Sequence, residues 1–327
     1  MMQQNNKWQN LTAILDLFNK PFLDLVFEAS LVHRSNFKAN EIQVSTLCSV
    51  KTGGCPENCK YCPQSAHYQT GLQKDPFMDV AEIVESAKKA KQQGSDRFCM
   101  GAAWRSLHDR DLPKVCQIIK EIKDLGLETC MTLGMVTQNQ AQAMKDAGLD
   151  FYNHNIDSSR EFYETIISTR SYDERLETLK NVADSGLKVC CGGIVGMGES
   201  VEDRAKMLLT LTHLPKEPES IPINMLVQAK GTPLENQKDI DPIDFIRMIA
   251  VTRIIFNKSW IRLSAGRLKL STEAQAMCFL AGANSIFFGE KLLTTQNNEQ
   301  SEDLMMIAKL GLVPVQKAQD VNTLQAN

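Results

Sequence analysis

The sequence has almost no net charge and no long tract of one residue type. Its 327 residues contain 36 Lys and Arg against 39 Asp and Glu, a net charge of -3, with no long run of one sign. This balance argues against nucleic-acid binding through a basic surface. Gly and Pro, 18 and 11 residues, are too few for a collagenous or low-complexity chain. The longest uncharged stretch near the C-terminus, 274–289, is too short and too polar to span a bilayer, so no membrane partner is expected.

The N-terminus lacks the continuous apolar block of a signal peptide. Trp8, Leu11, Ile14, Leu15 and Phe18 recur instead at the three-to-four spacing of an amphipathic helix. A cytoplasmic location is therefore predicted. In a reducing compartment the ten cysteines are not explained by disulfides. They are expected to be buried, reactive or metal-bound.

Short β-type runs alternate with helical segments from residue 41 onward, which is typical of a parallel sheet. Eight such units favour a (β/α)8 TIM-type barrel over an open doubly wound sheet. Helical N-terminal (1–40) and C-terminal (296–327) extensions are expected to flank the barrel at 41–295, with the end of the chain partly disordered. The predicted strands are 42–48, 97–102, 128–133, 151–156, 188–194, 220–227, 260–264 and 284–288.

The loop after the first predicted strand, from residue 49 to 78, is much longer than an ordinary βα loop and contains Cys55-x3-Cys59-x2-Cys62. In a barrel it lies on the face where active sites collect. Zinc with His67 as fourth ligand is one interpretation. A 4Fe-4S cluster fits the spacing better, and three cysteines leave one iron open for another ligand.

This loop resembles the radical S-adenosylmethionine (SAM) superfamily, whose motif C-x3-C-x-aromatic-C is matched with Tyr61 as the aromatic residue. The segment Gly192-x-Ile194-x-Gly196-x-x-Glu199 resembles the glycine-rich segment that lies against the adenine of SAM in that superfamily. An ordinary glycine-rich turn is the alternative for this second segment.

Several predicted strands carry cysteine or polar side chains with the same inward parity. Cys99, Cys130, Cys190 and Arg262 stand on four different strands, which a barrel could bring to one level. A single buried cysteine is usually only a small apolar side chain. From the residues alone, Arg262 is expected to balance the charge of the thiolates rather than to bind metal.

The fourth predicted strand places Asn153, Asn155 and Asp157 on one face, and Asn224 lies on the sixth. Buried carboxamides need partners and suit a ureido or amide ligand. A cluster that caps nearby backbone is the alternative.

From Cys48 to about Leu293 the chain resembles the biotin synthase family. The resemblance rests on the segments 97–104, 152–157, 222–226, 262–267 and 281–289. It implies a 4Fe-4S cluster on Cys55, Cys59 and Cys62. It also implies a 2Fe-2S cluster on Cys99, Cys130, Cys190 and Arg262. The implied contacts of SAM are Tyr61, Ala102, Asn155, Asp157, Arg175, Ile194 and Val227. The implied contacts of dethiobiotin are Asn153, Asn155, Asn224 and Thr294.

The resemblance further implies a radical SAM sulfurtransferase that inserts sulfur between C6 and C9 of dethiobiotin, with the 2Fe-2S cluster as sulfur donor. Two SAM molecules are used per biotin. A flavodoxin-type electron donor and a homodimer are expected partners. Another radical SAM mutase or thiolation enzyme, and a non-enzymatic iron–sulfur or zinc carrier, are the alternatives.

Cys191 departs from the family, which more often has a small hydroxyl residue beside the expected ligand Cys190. Neighbouring strand residues point to opposite faces, so Cys191 is expected to face the helices. Core packing is the expected role of Cys48, Cys116 and Cys278.

Overall fold

Strands and helices alternate through most of the chain in the computed structural model, which describes residues 7–289 and 291–315. The strands are β1 (Glu41–Lys51), β2 (Arg97–Ala102), β3 (Glu128–Thr132), β4 (Phe151–Asn153), β5 (Lys188–Cys190), β6 (Gly193–Val195), β7 (Ser220–Met225), β8 (Trp260–Leu263), β9 (Ser285–Phe287) and β10 (Val313–Pro314). The helices are α1 (Leu11–Phe18), α2 (Phe22–Asn36), α3 (Val80–Gln92), α4 (Leu112–Asp124), α5 (Gln138–Asp146), α6 (Arg160–Ile166), α7 (Tyr172–Asp184), α8 (Val201–Thr212), α9 (Pro242–Ile255), α10 (Thr272–Leu280) and α11 (Gln300–Lys309).

Capping boxes begin four of the helices that cover the barrel, α3, α5, α7 and α8. The side chains of Thr137, Ser171 and Ser200 accept from backbone amides of the first turns of α5, α7 and α8, and the third helical residue bonds back. These reciprocal bonds satisfy amides that have no partner within the helix. The local sequence therefore determines where each helix leaves its βα loop.

The strands pair in parallel around a closed ring. The order runs β1-β2-β3-β4-β5-β7-β8-β9, and β9 pairs with β1 through Gln43↔Ser285 and Ser45↔Phe287. The predicted TIM-type barrel is confirmed. Its strands end at the same face, where the βα loops surround the mouth of the barrel.

The prediction of one continuous strand over 188–194 is wrong, because the structure divides it into β5 and β6 at Cys191 and Gly192. A Cβ on Gly192 would lie 2.0 Å from the carbonyl oxygen of Pro222, so the backbones approach too closely there for any other residue. The fourth strand also ends earlier than predicted, at Asn153. Asn155 and Asp157 therefore stand on the loop beyond β4, and Asp157 has a left-handed backbone with φ 67°.

The N-terminal helices α1 and α2 pack on α8 and α9. At the other end α11 follows the barrel, and β10 extends the sheet by pairing Glu41 with Val313. The predicted disorder at the chain end lies outside the described residues, and the three domain bounds stay predictions. No helix in the described part of the chain is long and apolar enough to cross a membrane.

Candidate active site

The loop with the three motif cysteines is folded back on itself at the mouth of the barrel. The amide of Cys55 donates to the carbonyl of Gln64 at 2.9 Å, and Cys62 N donates to Cys59 O at 3.0 Å. Gly53 and Gly54, just before Cys55, have φ of 71° and 69°, a conformation that favours glycine. Cys59 is buried, and Cys55 and Cys62 are half-buried.

Burial raises the pKa of all three motif thiols, to about 12 for Cys59 and about 11 for Cys62. In the metal-free chain they therefore hold their protons at neutral pH. Iron binding must displace these protons, because the thiolate is the ligand form. Three thiols in one loop suit iron or zinc by donor type.

The zinc alternative needs its ligands to converge on one point. No group of three or more His, Cys, Asp or Glu side chains does so in residues 7–289 and 291–315. The ring nitrogen Nε2 of His67 lies 3.0 Å from the carbonyl oxygen of Pro56. A four-iron cubane binds each thiolate through a different iron, so its ligands surround a volume instead. The described loop therefore supplies three thiols but no converged fourth ligand for zinc.

Two adjoining cavities lie inside the mouth of the barrel. The outer cavity has a volume of about 230 Å³, and the inner one about 170 Å³. The predicted residues that line the outer cavity are Tyr61, Cys62, Asn155, Asp157, Ile194, Asn224, Val227 and Thr294. Those that line the inner cavity are Cys99, Cys130, Asn153, Asn155, Cys190, Asn224 and Arg262. Leu47, Asn155, Asn224, Ser264 and Leu293 line both, so the cavities share one wall.

The inner cavity brings the three interior thiols together. β2 and β3 pair Cys99 with Cys130, and β4 and β5 pair Asn153 with Cys190. Interaction with the Cys130 thiol lowers the pKa of Cys99 and lowers that of Cys190 to about 6, while the pKa of Cys130 itself is raised. The cation of Arg262 lowers the pKa of Cys99 and Cys190 further. The cavity therefore stabilises negative charge.

Arg262 is 1% exposed. Every side chain that accepts a hydrogen bond from it, among the residues that the structure describes, is neutral. Nε donates to Ser285 Oγ at 2.9 Å, and Nη2 donates to Gln43 Oε1 at 2.9 Å and Ser45 Oγ at 3.1 Å. A buried guanidinium is stabilised by a nearby anion. The thiolates or an anionic iron–sulfur cluster would provide one, so these residues fit such a group.

Asp157 connects the cysteine loop to the outer cavity. Its Oδ2 accepts from the Tyr61 hydroxyl at 2.7 Å and lies 2.7 Å from Nη2 of Arg175. Arg175 also donates to the carbonyl of Asn155 at 2.6 Å. Arg175 lines neither cavity, so it orients the residues that do. Ala102, half-buried at the end of β2, also lines neither cavity.

The predicted carboxamides differ in what they leave available for a ligand. Asn224 is already bonded on both sides, from Nδ2 to Gly193 O at 3.0 Å and from Ala265 N to Oδ1 at 3.2 Å. Asn153 donates to Thr132 Oγ1 at 3.0 Å, but its buried Oδ1 has no partner in the part of the chain that the structure describes. A buried acceptor without a partner is costly. Asn153 Oδ1 is therefore suited to accept from a ligand N–H.

Cys190 and Cys191 face opposite sides of the barrel wall, as predicted. Cys190 packs with Cys99 and Cys130 inside the barrel, whereas Cys191 belongs to the apolar layer outside it. Both are fully buried.

Some residues at the site were missed by the sequence analysis. Arg97 brings a second cation near the interior thiols; its Nε donates to Glu128 at 2.8 Å, and its guanidinium lies 3.6 Å from the centre of the Phe151 ring. Gln43 and Ser45 could have been found from the sequence. They are alternate residues of the first predicted strand, so their polar side chains point to the same face. The loop residue Leu293 carries no comparable signal.

Comparison with known proteins agrees with this geometry. Residues 49–211 match the radical SAM superfamily, and residues 222–313 match the Biotin and Thiamin Synthesis associated domain. A biotin synthase of Hahella chejuensis is 59% identical over 310 residues, 95% of this chain and 88% of the relative. One of Escherichia fergusonii is 57% identical over 317 residues, 97% of this chain and 91% of the relative.

Solved structures with the same fold are more distant in sequence. Methylornithine synthase (PylB) superposes with a TM-score of 0.80 at 18% identity, over 95% of this chain and 97% of that one. The FeFe-hydrogenase maturase HydG from Carboxydothermus hydrogenoformans also gives 0.80 at 17% identity, over 95% and 78%. These likenesses show the fold, and the two relatives above show the family. The chain therefore belongs to the biotin synthase family of the radical SAM superfamily.

Proposed function

We propose that this protein inserts one sulfur atom between C6 and C9 of dethiobiotin and so forms biotin. The observation that carries the proposal is the shared wall of the two cavities. A ligand in the outer cavity would lie between the cysteine loop and the three interior thiols. The two sources of reactivity would then meet at one substrate.

The proposed cofactors are a 4Fe-4S cluster on Cys55, Cys59 and Cys62, a 2Fe-2S cluster on Cys99, Cys130, Cys190 and Arg262, and SAM. When bound, these groups would supply the radical that abstracts hydrogen and the sulfur that is inserted. A radical is required because no side chain is basic enough to deprotonate the unactivated C–H bonds of dethiobiotin. The task of the protein residues is then to bind, orient and exclude water.

The outer cavity offers the contacts that SAM would need. The Asp157 carboxylate, oriented by Arg175 and Tyr61, suits ribose hydroxyls or the cationic amino group. Ile194 and Val227 provide apolar surface for the adenine. Asn155 lines the same cavity, and Ala102, which lies outside its lining, is the last member of the proposed set.

The shared wall and the parts of the two cavities beside it suit dethiobiotin. Asn153 Oδ1 is an available acceptor for a ureido N–H. Asn155, Asn224 and Thr294 are the other proposed contacts, and the amide of Asn224, which is bonded on both sides, would be a fixed polar surface. Leu47 and Leu293 provide apolar surface for an aliphatic chain. An apolar cavity wall with few polar groups is the usual design of a site that must orient a small molecule.

Three further properties belong to the same proposal. A flavodoxin-type protein supplies the electron for SAM cleavage, the enzyme is a homodimer, and it works in the cytoplasm. Each rests on the family alone.

An isotope experiment tests the function. The chain is reconstituted anaerobically with iron and 34S-sulfide, freed of excess sulfide, and given dethiobiotin, SAM and a reductant. We expect 34S-biotin, two 5′-deoxyadenosines per biotin, and loss of the 2Fe-2S absorbance during turnover. Biotin formed with the 2Fe-2S signal intact and with added external sulfide as the only sulfur source would contradict the proposed sulfur donor. SAM cleavage that dethiobiotin does not stimulate would favour another radical SAM reaction, and the absence of cluster binding would favour a zinc protein.

A further inference from the structure

Two residues between the first motif cysteines are bound to a distant turn. Glu57 and Asn58 contact Ser168, Thr169 and Arg170, which follow α6. Asn58 N donates to Thr169 Oγ1 at 3.0 Å, and its Oδ1 accepts from the amides of Ser168 and Thr169 at 3.0 and 3.2 Å. Asn58 Nδ2 donates to Ser168 Oγ at 2.7 Å. The amide group of Asn58 thus binds the turn on both its oxygen and its nitrogen.

The carboxylate of Glu57 is the charged centre of this contact. Glu57 is 3% exposed and Arg170 is 6% exposed. Glu57 Oε1 lies 3.3 Å from Arg170 Nη2 and 2.6 Å from Arg105 Nη1, and Oε2 accepts from Thr169 Oγ1 at 2.5 Å. Buried charges are tolerated when they are paired and hydrogen-bonded in this way. Removal of the Glu57 carboxylate would leave the buried Arg170 without its paired anion, and removal of Arg170 would leave Glu57 with Arg105 as its one cationic partner among the described residues.

The loop is attached to the same part of the chain on the other side of Cys59. The amide of Lys60 donates to the carbonyl of Ile166, the last residue of α6, at 3.1 Å. The hydroxyl of Tyr61 then donates to Asp157, just before α6. None of these contacts involves a sulfur atom of the motif, so none of them requires a bound cluster.

We propose that the turn Ser168–Arg170 is a template that holds the cysteine loop in its cluster-binding shape before the cluster is inserted. Glu57 and Arg170 are its positioning residues, and neither binds iron. The proposal rests on the proposed function, because it takes Cys55, Cys59 and Cys62 as the cluster ligands. Its physical basis is entropy: a loop ordered during folding has no ordering cost left when the cluster binds.

Hydrogen–deuterium exchange of the full-length, cluster-free chain tests the template. We expect the amides of Cys55, Asn58, Lys60 and Cys62, which all donate hydrogen bonds in the structure, to be protected in the wild type. Arg170→Gln should speed their exchange about tenfold or more, because the loop then opens locally, while the barrel strands remain protected. The matched control is Arg160→Gln, which breaks an exposed ion pair with Asp173 on the neighbouring helix and should leave the loop unchanged.

A second measurement follows anaerobic reconstitution by the rise of 4Fe-4S absorbance. Arg170→Gln should load its cluster severalfold more slowly than the wild type, and Arg170→Lys should recover part of the rate because it keeps the charge. If Arg170→Gln does not fold, the same measurements on Asn58→Ala test the template, because this variant removes the contacts of the side-chain amide with the turn and leaves no unpaired buried charge.

The outcomes separate the two proposals. Unprotected loop amides in the wild type, or unchanged exchange and loading in a folded Arg170→Gln and in Asn58→Ala, would overturn the template even if the wild type makes biotin. A wild-type loop that is protected from exchange but binds no 4Fe-4S cluster would contradict the proposed function, while the finding that the loop is ordered would stand.

Discussion

Arg267 and Asp303 form a buried ion pair, with 2.7 Å between Nη2 and Oδ2 and 2.9 Å between Nη1 and Oδ1. The pair joins the turn after β8 to α11, and Arg267 also donates to the carbonyl of Phe287 in β9 at 2.9 Å. The segment between β9 and α11 includes Thr294 and lines the outer cavity. The pair therefore anchors one wall of the site.

Asp303→Asn should destabilise this anchor, because it leaves the Arg267 cation buried without its counter-charge. We expect the free energy of unfolding in urea to fall by about 3 kcal/mol, together with faster proteolysis after residue 290. Glu302→Gln, which changes the exposed neighbour, is the control. Equal stability of the two variants would show that the pair contributes little.

Gly101→Ala should change the shape of the shared wall. A Cβ at Gly101 would lie 2.7 Å from Cδ2 of Leu293, whose side chain lines both cavities. Since Leu293 can shift by rotation, we expect a stability loss below about 2 kcal/mol but a severalfold higher KM for dethiobiotin.

The double variant Gly101→Ala with Leu293→Ala tests the cause of that change. It should recover much of the affinity, because it removes the atoms that the new methyl group displaces. A single variant that keeps the wild-type KM would contradict the prediction.

His33 should make stability depend on pH. Burial and the cation of Arg253 lower its pKa to about 4, from 6.5 in the unfolded chain. The fold therefore favours the neutral ring, and its stability should fall as the pH drops from 6.5 towards 4, by up to about 3 kcal/mol.

Urea unfolding of the cluster-free chain at pH 7.5 and pH 5 measures this effect. His33→Gln should lose less stability between the two pH values than the wild type, whereas the exposed His108→Gln should behave like the wild type. An identical pH dependence in His33→Gln would refute the assignment.

Adjacent cysteines provide a matched pair of variants. Cys190→Ala should abolish the 2Fe-2S absorbance after reconstitution, because Cys190 faces the inner cavity. Cys191→Ser should keep the absorbance, because that side chain packs outside the barrel. The 4Fe-4S signal serves as the internal control, and the reverse result would mean that the strand register is shifted by one residue.

The barrel and the interior cysteines could be predicted from the sequence because both follow from local periodicity. Alternation along each strand assigns Cys99, Cys130 and Cys190 to one face, and repeated βα units favour a ring. The break at Cys191 and Gly192 could not be predicted in this way, since its cause is the carbonyl of Pro222 on another strand.

Polar contacts between residues far apart in the sequence could not be predicted from local periodicity either. Glu57 and Arg170 are 113 residues apart, and no sequence pattern at either residue indicates that the two side chains pair. Arg175 binds the Asp157 carboxylate and the carbonyl of Asn155, which lie 18 and 20 residues away, and its contact with SAM stays a prediction. Periodicity predicts which face of an element a residue occupies, whereas such pairings depend on how the loops cross.

The closure of the ring through β1 has a consequence for the order of folding during synthesis. β1 is the first strand made, yet it pairs with β9 and β10, which are among the last. One edge of β1 therefore stays without its final partner until nearly the whole chain has left the ribosome. Contacts of such large sequence separation form slowly, and unpaired strand edges promote aggregation. Conditions that slow the completion of the chain should therefore lower the yield of folded protein more than they would for a fold that closes locally.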